Sequence, residues 1–169
     1  MVAHLNAGHF QAWRTPKRIY EQLSKEAGGY CADLFADKDN ALHSKFFTES
    51  EDAIMQQWAF PGEVAFANPP YGGHFQEEAL AKAITEVRTA KRLRGVDLLV
   101  QASVSTKWFL RAVKECDVQL FHGRIQFDVP VGMDNPRRPS FSNALIQVRD
   151  RRGKGVTGMR SAKTGAIIP

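Results

Sequence analysis

The chain has 169 residues, 43% hydrophobic and 24% charged, which is the make-up of one folded domain rather than a disordered or fibrous protein. No run approaches the roughly 18 apolar residues of a membrane span, and Met1–Phe10 lacks the basic-then-apolar pattern of a signal peptide, so a cytoplasmic location is expected. Lys plus Arg number 23 against 18 Asp plus Glu, a net charge of +5 that suits a polyanionic partner, and the two cysteines, Cys31 and Cys116, are too few for a disulfide framework or a zinc site.

Thr15 as N-cap, Pro16 at the first helical position and the Gly28-Gly29 stop predict a helix in which Ile19, Tyr20 and Leu23 recur on one face. Tyr30 to Asp37 reads as a short buried strand running into a loop, and Asn40 to Trp58 as one or two short helices. Glu63 to Gly73 is an apolar strand stopped by Pro69-Pro70 and a glycine pair. A long helix is predicted over Phe75–Leu93, with Ala79, Leu80, Ala83, Ile84 and Val87 on its apolar face. Val96 to Val104 is another buried strand, leading through Ser105-Thr106 into an amphipathic helix.

The last third alternates like antiparallel strands around a loop at Met133–Pro139. Arg149 to Lys163, dominated by basic residues and interrupted by three glycines, reads as a mobile tail that meets phosphates. The chain therefore divides into a compact domain, 1–148, and a basic tail, 149–169. Strand, helix, strand, helix and a β-rich end predict an α/β fold with a mostly parallel sheet and an antiparallel C-terminal edge. Ligands bind beyond the carboxyl ends of such strands. Asp33-Leu34-Phe35-Ala36 and Asn68-Pro69-Pro70-Tyr71 both fall there.

The second tetrapeptide carries the chemistry. Two consecutive prolines have fixed φ angles and no N–H, so they hold the chain stiff at the strand's end. The Asn68 amide oxygen and the Pro69 carbonyl can then converge as acceptors beside the face of Tyr71. That arrangement suits a flat heterocycle with an exocyclic amine. Accepting both hydrogens of adenine N6 would stabilise the charge that develops during methyl transfer, and Tyr71 would stack on a base extruded from the duplex.

In order along the chain stand Trp13-Arg14-Thr15-Pro16, Ala32-Asp33-Leu34-Phe35-Ala36, Asn40, Phe46-Phe47-Thr48, Trp58, Asn68-Pro69-Pro70-Tyr71, Thr106-Lys107-Trp108-Phe109 and Gly123-Arg124-Ile125-Gln126-Phe127. With these pieces the chain resembles the compact phage-type family of DNA N6-adenine methyltransferases, the Dam family of phages and prophages. The resemblance implies a Rossmann-like class I methyltransferase fold, S-adenosyl-L-methionine as donor and adenine in DNA as acceptor. It further implies that Asn68, Pro69, Pro70 and Tyr71 form the catalytic motif, with Asn68 also facing the cofactor. Asp33, Leu34, Phe35 and Ala36 take the place of the first cofactor motif, where the acid accepts from the cofactor's ammonium group. Thr15 and Pro16 match the segment over its methionine end, and Asn40 and Asp52 are candidates for its ribose and adenine ends. The glycine-rich turn of many methyltransferases is replaced by Phe35-Ala36-Asp37.

Arg124, in an alternating stretch, and Arg137 and Arg138, between Pro136 and Pro139, are the candidate DNA contacts. His74 and His122 have no metal-ligand spacing, and no metal is expected. A monomer or weak dimer in the cytoplasm of a bacterial host is expected. Other planar amines (cytosine N4, an RNA adenine, a protein glutamine) are compatible with the same motif, as is a non-catalytic DNA-binding protein on a methyltransferase fold.

Overall fold

The computed structural model describes residues 14–72, 74–129 and 139–169. Its elements are α1 (Lys17–Ala27), β1 (Tyr30–Asp33), β2 (Val64–Ala67), α2 (Phe75–Ile84), β3 (Gly95–Gln101), α3 (Lys107–Glu115), β4 (Asp117–His122), β5 (Asn143–Arg149), β6 (Gly155–Ser161) and β7 (Ile167–Ile168). One mixed sheet runs in the order β1-β2-β3-β5-β4-β6-β7. The pairs β1–β2, β2–β3 and β4–β6 are parallel, whereas β5 is antiparallel to both β3 and β4 and β7 to β6. Five strands thus share one direction. The antiparallel strand β5 lies inside the sheet, where an edge position was expected. Among the described residues no helix is long and apolar enough to cross a membrane.

Strand β2 is buried at all four residues, as a central parallel strand covered on both faces must be. One face packs Ala65, Ala67, Val96, Leu98 and Val100 against α2 and α3 through Ala79, Leu80, Ala83, Phe109 and Ala112. The other packs Phe66, Leu99 and Leu145 against Ile19, Tyr20 and Leu23 of α1. Inside the sheet, Asp97 is neutralised by Arg149 at 2.7 Å and accepts from the Tyr30 hydroxyl at 2.8 Å, so β1, β3 and β5 share one polar tie. Cys116 is buried and Cys31 half-buried, and burial pushes both thiols up to about 11.

Four expectations change. Pro16 caps α1, not Thr15, because the Thr15 hydroxyl is occupied elsewhere; Gly28, at φ +85°, closes the helix as expected. Residues 40–58 contain no helix. Asn40, Glu51 and Asp52 side chains there accept from backbone N–H groups of Asp37, Thr48 and Ile54, and such local bonds hold turns instead of helical ladders. The helix expected to Leu93 stops at Ile84 and continues as one π-helical turn, Thr85–Thr89. That turn buries Glu86, whose carboxylate meets Lys82 at 2.9 Å and Arg92 at 3.1 Å, and Lys91 then adopts φ +54°.

The basic segment is the fourth correction: it is no tail. β6 lies beside β4 in parallel register from Asp117↔Gly155 to His122↔Ser161, and β7 folds back on β6. Arg160 explains the docking. It is 2% exposed, and its guanidinium bonds Glu26 of α1 at 2.6 Å, Gln119 of β4 at 2.6 Å and the Gly165 carbonyl at 2.7 Å. Arg160→Ala leaves those acceptors without their buried donor and is expected to lower the unfolding free energy by about 3 kcal/mol. Urea denaturation followed by circular dichroism measures it, and an unchanged midpoint would show that the segment docks by other means.

Candidate functional site

A cavity of about 290 Å³ opens beyond the carboxyl ends of β1 and β2. Its wall brings together Thr15, Asp33, Phe35, Ala36, Asn40, Asp52, Asn68, Pro69, Pro70 and Tyr71, ten positions singled out from the sequence. Two others stand apart. Pro16 ends its role at the start of α1, and Leu34, next to Asp33, turns into the core under α2. Asp33 and Leu34, adjacent at the end of β1, face opposite sides of the sheet, which leaves Leu34 in the core.

Asp33 is 4% exposed, and only one of its oxygens is used: Oδ2 accepts from the Leu42 N–H at 3.1 Å. Its Oδ1 is buried without a hydrogen-bond partner. Loss of water pushes the Asp33 carboxyl up to about 7, against the lowering effect of the Leu42 bond. Asn68 shows the same imbalance. Its Nδ2 donates to Thr15 Oγ1 at 3.0 Å, whereas Oδ1 is buried with no partner. A buried acceptor left unpaired costs about 1–3 kcal/mol. Two of them on the wall of one cavity describe a place built for a ligand that brings donors.

Tyr71 is 7% exposed and held from three sides. Its hydroxyl accepts from Asn143 Nδ2 at 3.0 Å and donates to the Leu99 carbonyl at 3.4 Å. Its ring lies steeply inclined to those of Phe127 and Phe141, at 88° and 71°, with centroids 5.8 and 5.3 Å away.

The opposite rim comes from the turns after β1. Asp33 pairs with Phe46 in an isolated parallel bridge, and the Ala36 N–H bonds the Phe47 carbonyl at 3.2 Å. Asp52 sits at φ +53°, turning Ala53 and Ile54 toward the cavity, and Trp58 fixes that bend by donating to the Ala53 carbonyl at 2.8 Å.

Arg14, Asp37, Leu42, Phe47, Thr48, Glu49, Ala53, Ile54 and Phe75 complete the lining. Sequence reasoning assigned none of these nine a site role. A stretch read as helices offers no period that marks its inward residues. Arg124 is exposed on the loop after β4, away from the cavity wall, with Ile125 and Phe127 buried beside it. Arg137 and Arg138 lie outside the described residues.

Residues 3–159 match a family model described as DNA N-6-adenine-methyltransferase (Dam). The chain is 25% identical over 164 residues to the "DNA N-6-adenine-methyltransferase" of Escherichia phage T1, a match covering 92% of this chain and 65% of that protein. The chain thus spans just under two thirds of that relative's length. It is also 36% identical over 63 residues to the "Putative methyltransferase YfdM" of Escherichia coli (strain K12), covering 35% of this chain and 69% of that protein.

An unfolded aspartate releases its proton near 3.8, whereas Asp33 in the folded protein holds it to about 7. The contribution of Asp33 to stability is complete below the lower value and is lost as pH rises through the upper one. Asp33→Asn is therefore expected to gain stability relative to the ligand-free native protein between pH 5 and pH 8. Urea titrations across that range measure the difference; a constant gap between the two proteins would mean that Asp33 ionises normally.

Proposed function

The chain belongs to the DNA N-6-adenine-methyltransferase (Dam) family, and from that membership we propose that it transfers a methyl group from S-adenosyl-L-methionine to N6 of adenine in DNA. The observation that carries this reading is the pair of buried, unpartnered acceptors, Asp33 Oδ1 and Asn68 Oδ1, on the wall of one cavity. The relative from phage T1 bears the same activity in its name and supports a phage- or prophage-encoded protein acting in a bacterial cytoplasm. The three parallel strands β1, β2 and β3, with the cavity beyond their carboxyl ends, support a Rossmann-like class I fold.

The residues present fit the cofactor. Asp33 offers a carboxylate oxygen to its ammonium group, and docking of that cation favours the ionised acid that burial disfavours. Phe35, Ala36, Phe47 and Ile54 give apolar wall, and Asn40 and Asp52 give polar groups for the ribose and adenine ends. Thr15, which orients Asn68, would cap the methionine end. When bound, S-adenosyl-L-methionine supplies an electrophilic methyl group.

The acceptor is activated by the chain's own groups. Thr15 takes one side of the Asn68 amide, which leaves Oδ1 for the target amine. The Pro69 carbonyl accepts the second N6 hydrogen, and Pro70 keeps both acceptors from moving apart. Drawing both hydrogens into these bonds would turn the N6 lone pair out of the ring and make the amine a nucleophile. Tyr71 forms the stacking face for the extruded base. Arg124, with Arg137 and Arg138, contacts DNA phosphates, and the protein acts as a monomer or weak dimer.

Incubating the protein with S-adenosyl-L-methionine and unmethylated plasmid DNA, then analysing nucleosides by mass spectrometry, tests the proposal. N6-methyladenine from the native protein is expected, and none from Asn68→Ala, while calorimetry finds cofactor affinity nearly intact in that variant. N4-methylcytosine would replace the acceptor; loss of cofactor binding equal to the loss of turnover would remove Asn68 from its role. DNA binding is also expected to weaken steeply with salt, because phosphate contacts release counterions. Filter binding from low to high ionic strength measures the slope, and a flat response contradicts a phosphate-led interface.

A further inference from the structure

We propose that Asn143 is a positioning residue for the base site, fixing the ring of Tyr71 in the cavity wall. The inference rests on the adenine-methylation reading above and extends it to a residue on β5, far from the motif in sequence. Asn143 is fully buried at the head of β5, paired with Gln101 of β3. Its Nδ2 donates twice, to the Tyr71 hydroxyl at 3.0 Å and to the Val100 carbonyl at 3.2 Å. Its Oδ1 has no hydrogen-bond partner.

An amide in that place is costly. An apolar side chain of similar volume would fill the site without burying an unpaired acceptor. What the amide contributes is a donor pair, and one of the two goes to the phenol oxygen. The hydroxyl in turn donates to the Leu99 carbonyl, so its far end is tied to both β3 and β5. Phe127 and Phe141 pack steeply inclined against the ring, with centroids 5.8 and 5.3 Å away. At the near end, Pro69-Pro70 fixes the backbone on which the ring is mounted. The ring is thereby held at both ends before any base arrives, and such placement counts directly in rate.

Native protein, Asn143→Leu, Tyr71→Phe and the double variant are compared for kcat and KM on unmethylated plasmid DNA, with cofactor affinity read by calorimetry. Asn143→Leu is expected to lower kcat/KM roughly ten- to hundredfold, with cofactor affinity preserved and no further loss when combined with Tyr71→Phe. Additive losses, or a parallel fall in cofactor affinity, overturn the role.

A second readout needs no turnover. The chain has three tyrosines, Tyr20, Tyr30 and Tyr71, so fluorotyrosine labelling gives three fluorine resonances. Asn143→Leu is expected to move the one that Tyr71→Phe abolishes and to leave the other two. Movement of all three, or of none, overturns the role; Asn143→Ser, with its shorter donor, gives the same readouts if the leucine variant does not fold. A native protein that forms no N6-methyladenine overturns the methylation reading, whereas full activity in Asn143→Leu overturns this role alone.

Discussion

A central strand of a parallel sheet needs backbone N–H groups to continue its ladders, and β2 runs out of them at Pro69-Pro70. Its last registered pair with β3 is Ala67↔Leu98, while β3 continues to Gln101 against β5. The sheet therefore carries a notch over β2, bounded by the longer β3 on one side and the turns after β1 on the other. Asn68, which precedes a proline, is biased toward extended backbone at the floor of that notch. Thr15 reaches it from the segment before α1, and Tyr71 leaves it toward β3 and β5. The cavity, its two unpaired acceptors and its aromatic wall all follow from that one interruption.

Charge is divided unevenly over the molecule. The described cavity lining holds Asp33, Asp37, Glu49 and Asp52, with Arg14 as its one cation. Several of the remaining guanidinium groups are engaged by the chain itself, Arg160 buried and Arg151 at the surface. Arg88 donates to the carbonyls of Arg149, Glu115 and Arg151, Arg149 neutralises Asp97, Arg151 meets Asp117 at 2.6 Å, and Arg160 is buried on Glu26. These side chains close strand ends and carbonyl rows that would otherwise be unsatisfied. Each ion pair removes one cation and one acid together, so the excess of +5 remains for a polyanion, while the acidic cavity favours a cationic ligand.

Sequence showed most clearly what depends on local punctuation. Gly28 ended α1, Pro69-Pro70 ended β2, and Thr106 capped α3 by accepting from the Phe109 N–H at 3.3 Å. Strand ends, where ligands sit in an α/β sheet, pointed to seven of the cavity's residues, and the family resemblance alone pointed to Thr15, Asn40 and Asp52. Legibility failed wherever side chains at long range decide. The turns over 40–58 rest on single carboxylates and amides reaching nearby N–H groups, which leave no periodic trace. β6 alternates poorly and holds two glycines, and its docking depends on Arg160 finding Glu26, 134 residues away. Asn143 had no motif to mark it; only the meeting of β5 with the loop after β2 reveals its partner.

The inner place of β5 bears on how the protein is made. During synthesis, β1, β2 and β3 can pair as soon as they emerge, but the far side of β3 stays open until residues 143–149 arrive. That edge carries Val96, Leu98, Leu99 and Val100, all apolar, on a strand with unpaired backbone groups. Joining of the two halves of the sheet waits on β5, and such late, non-local pairing is slow and open to association between nascent chains. The time for which that edge stays bare is thus a separate source of aggregation, one that the stability of the finished fold does not govern.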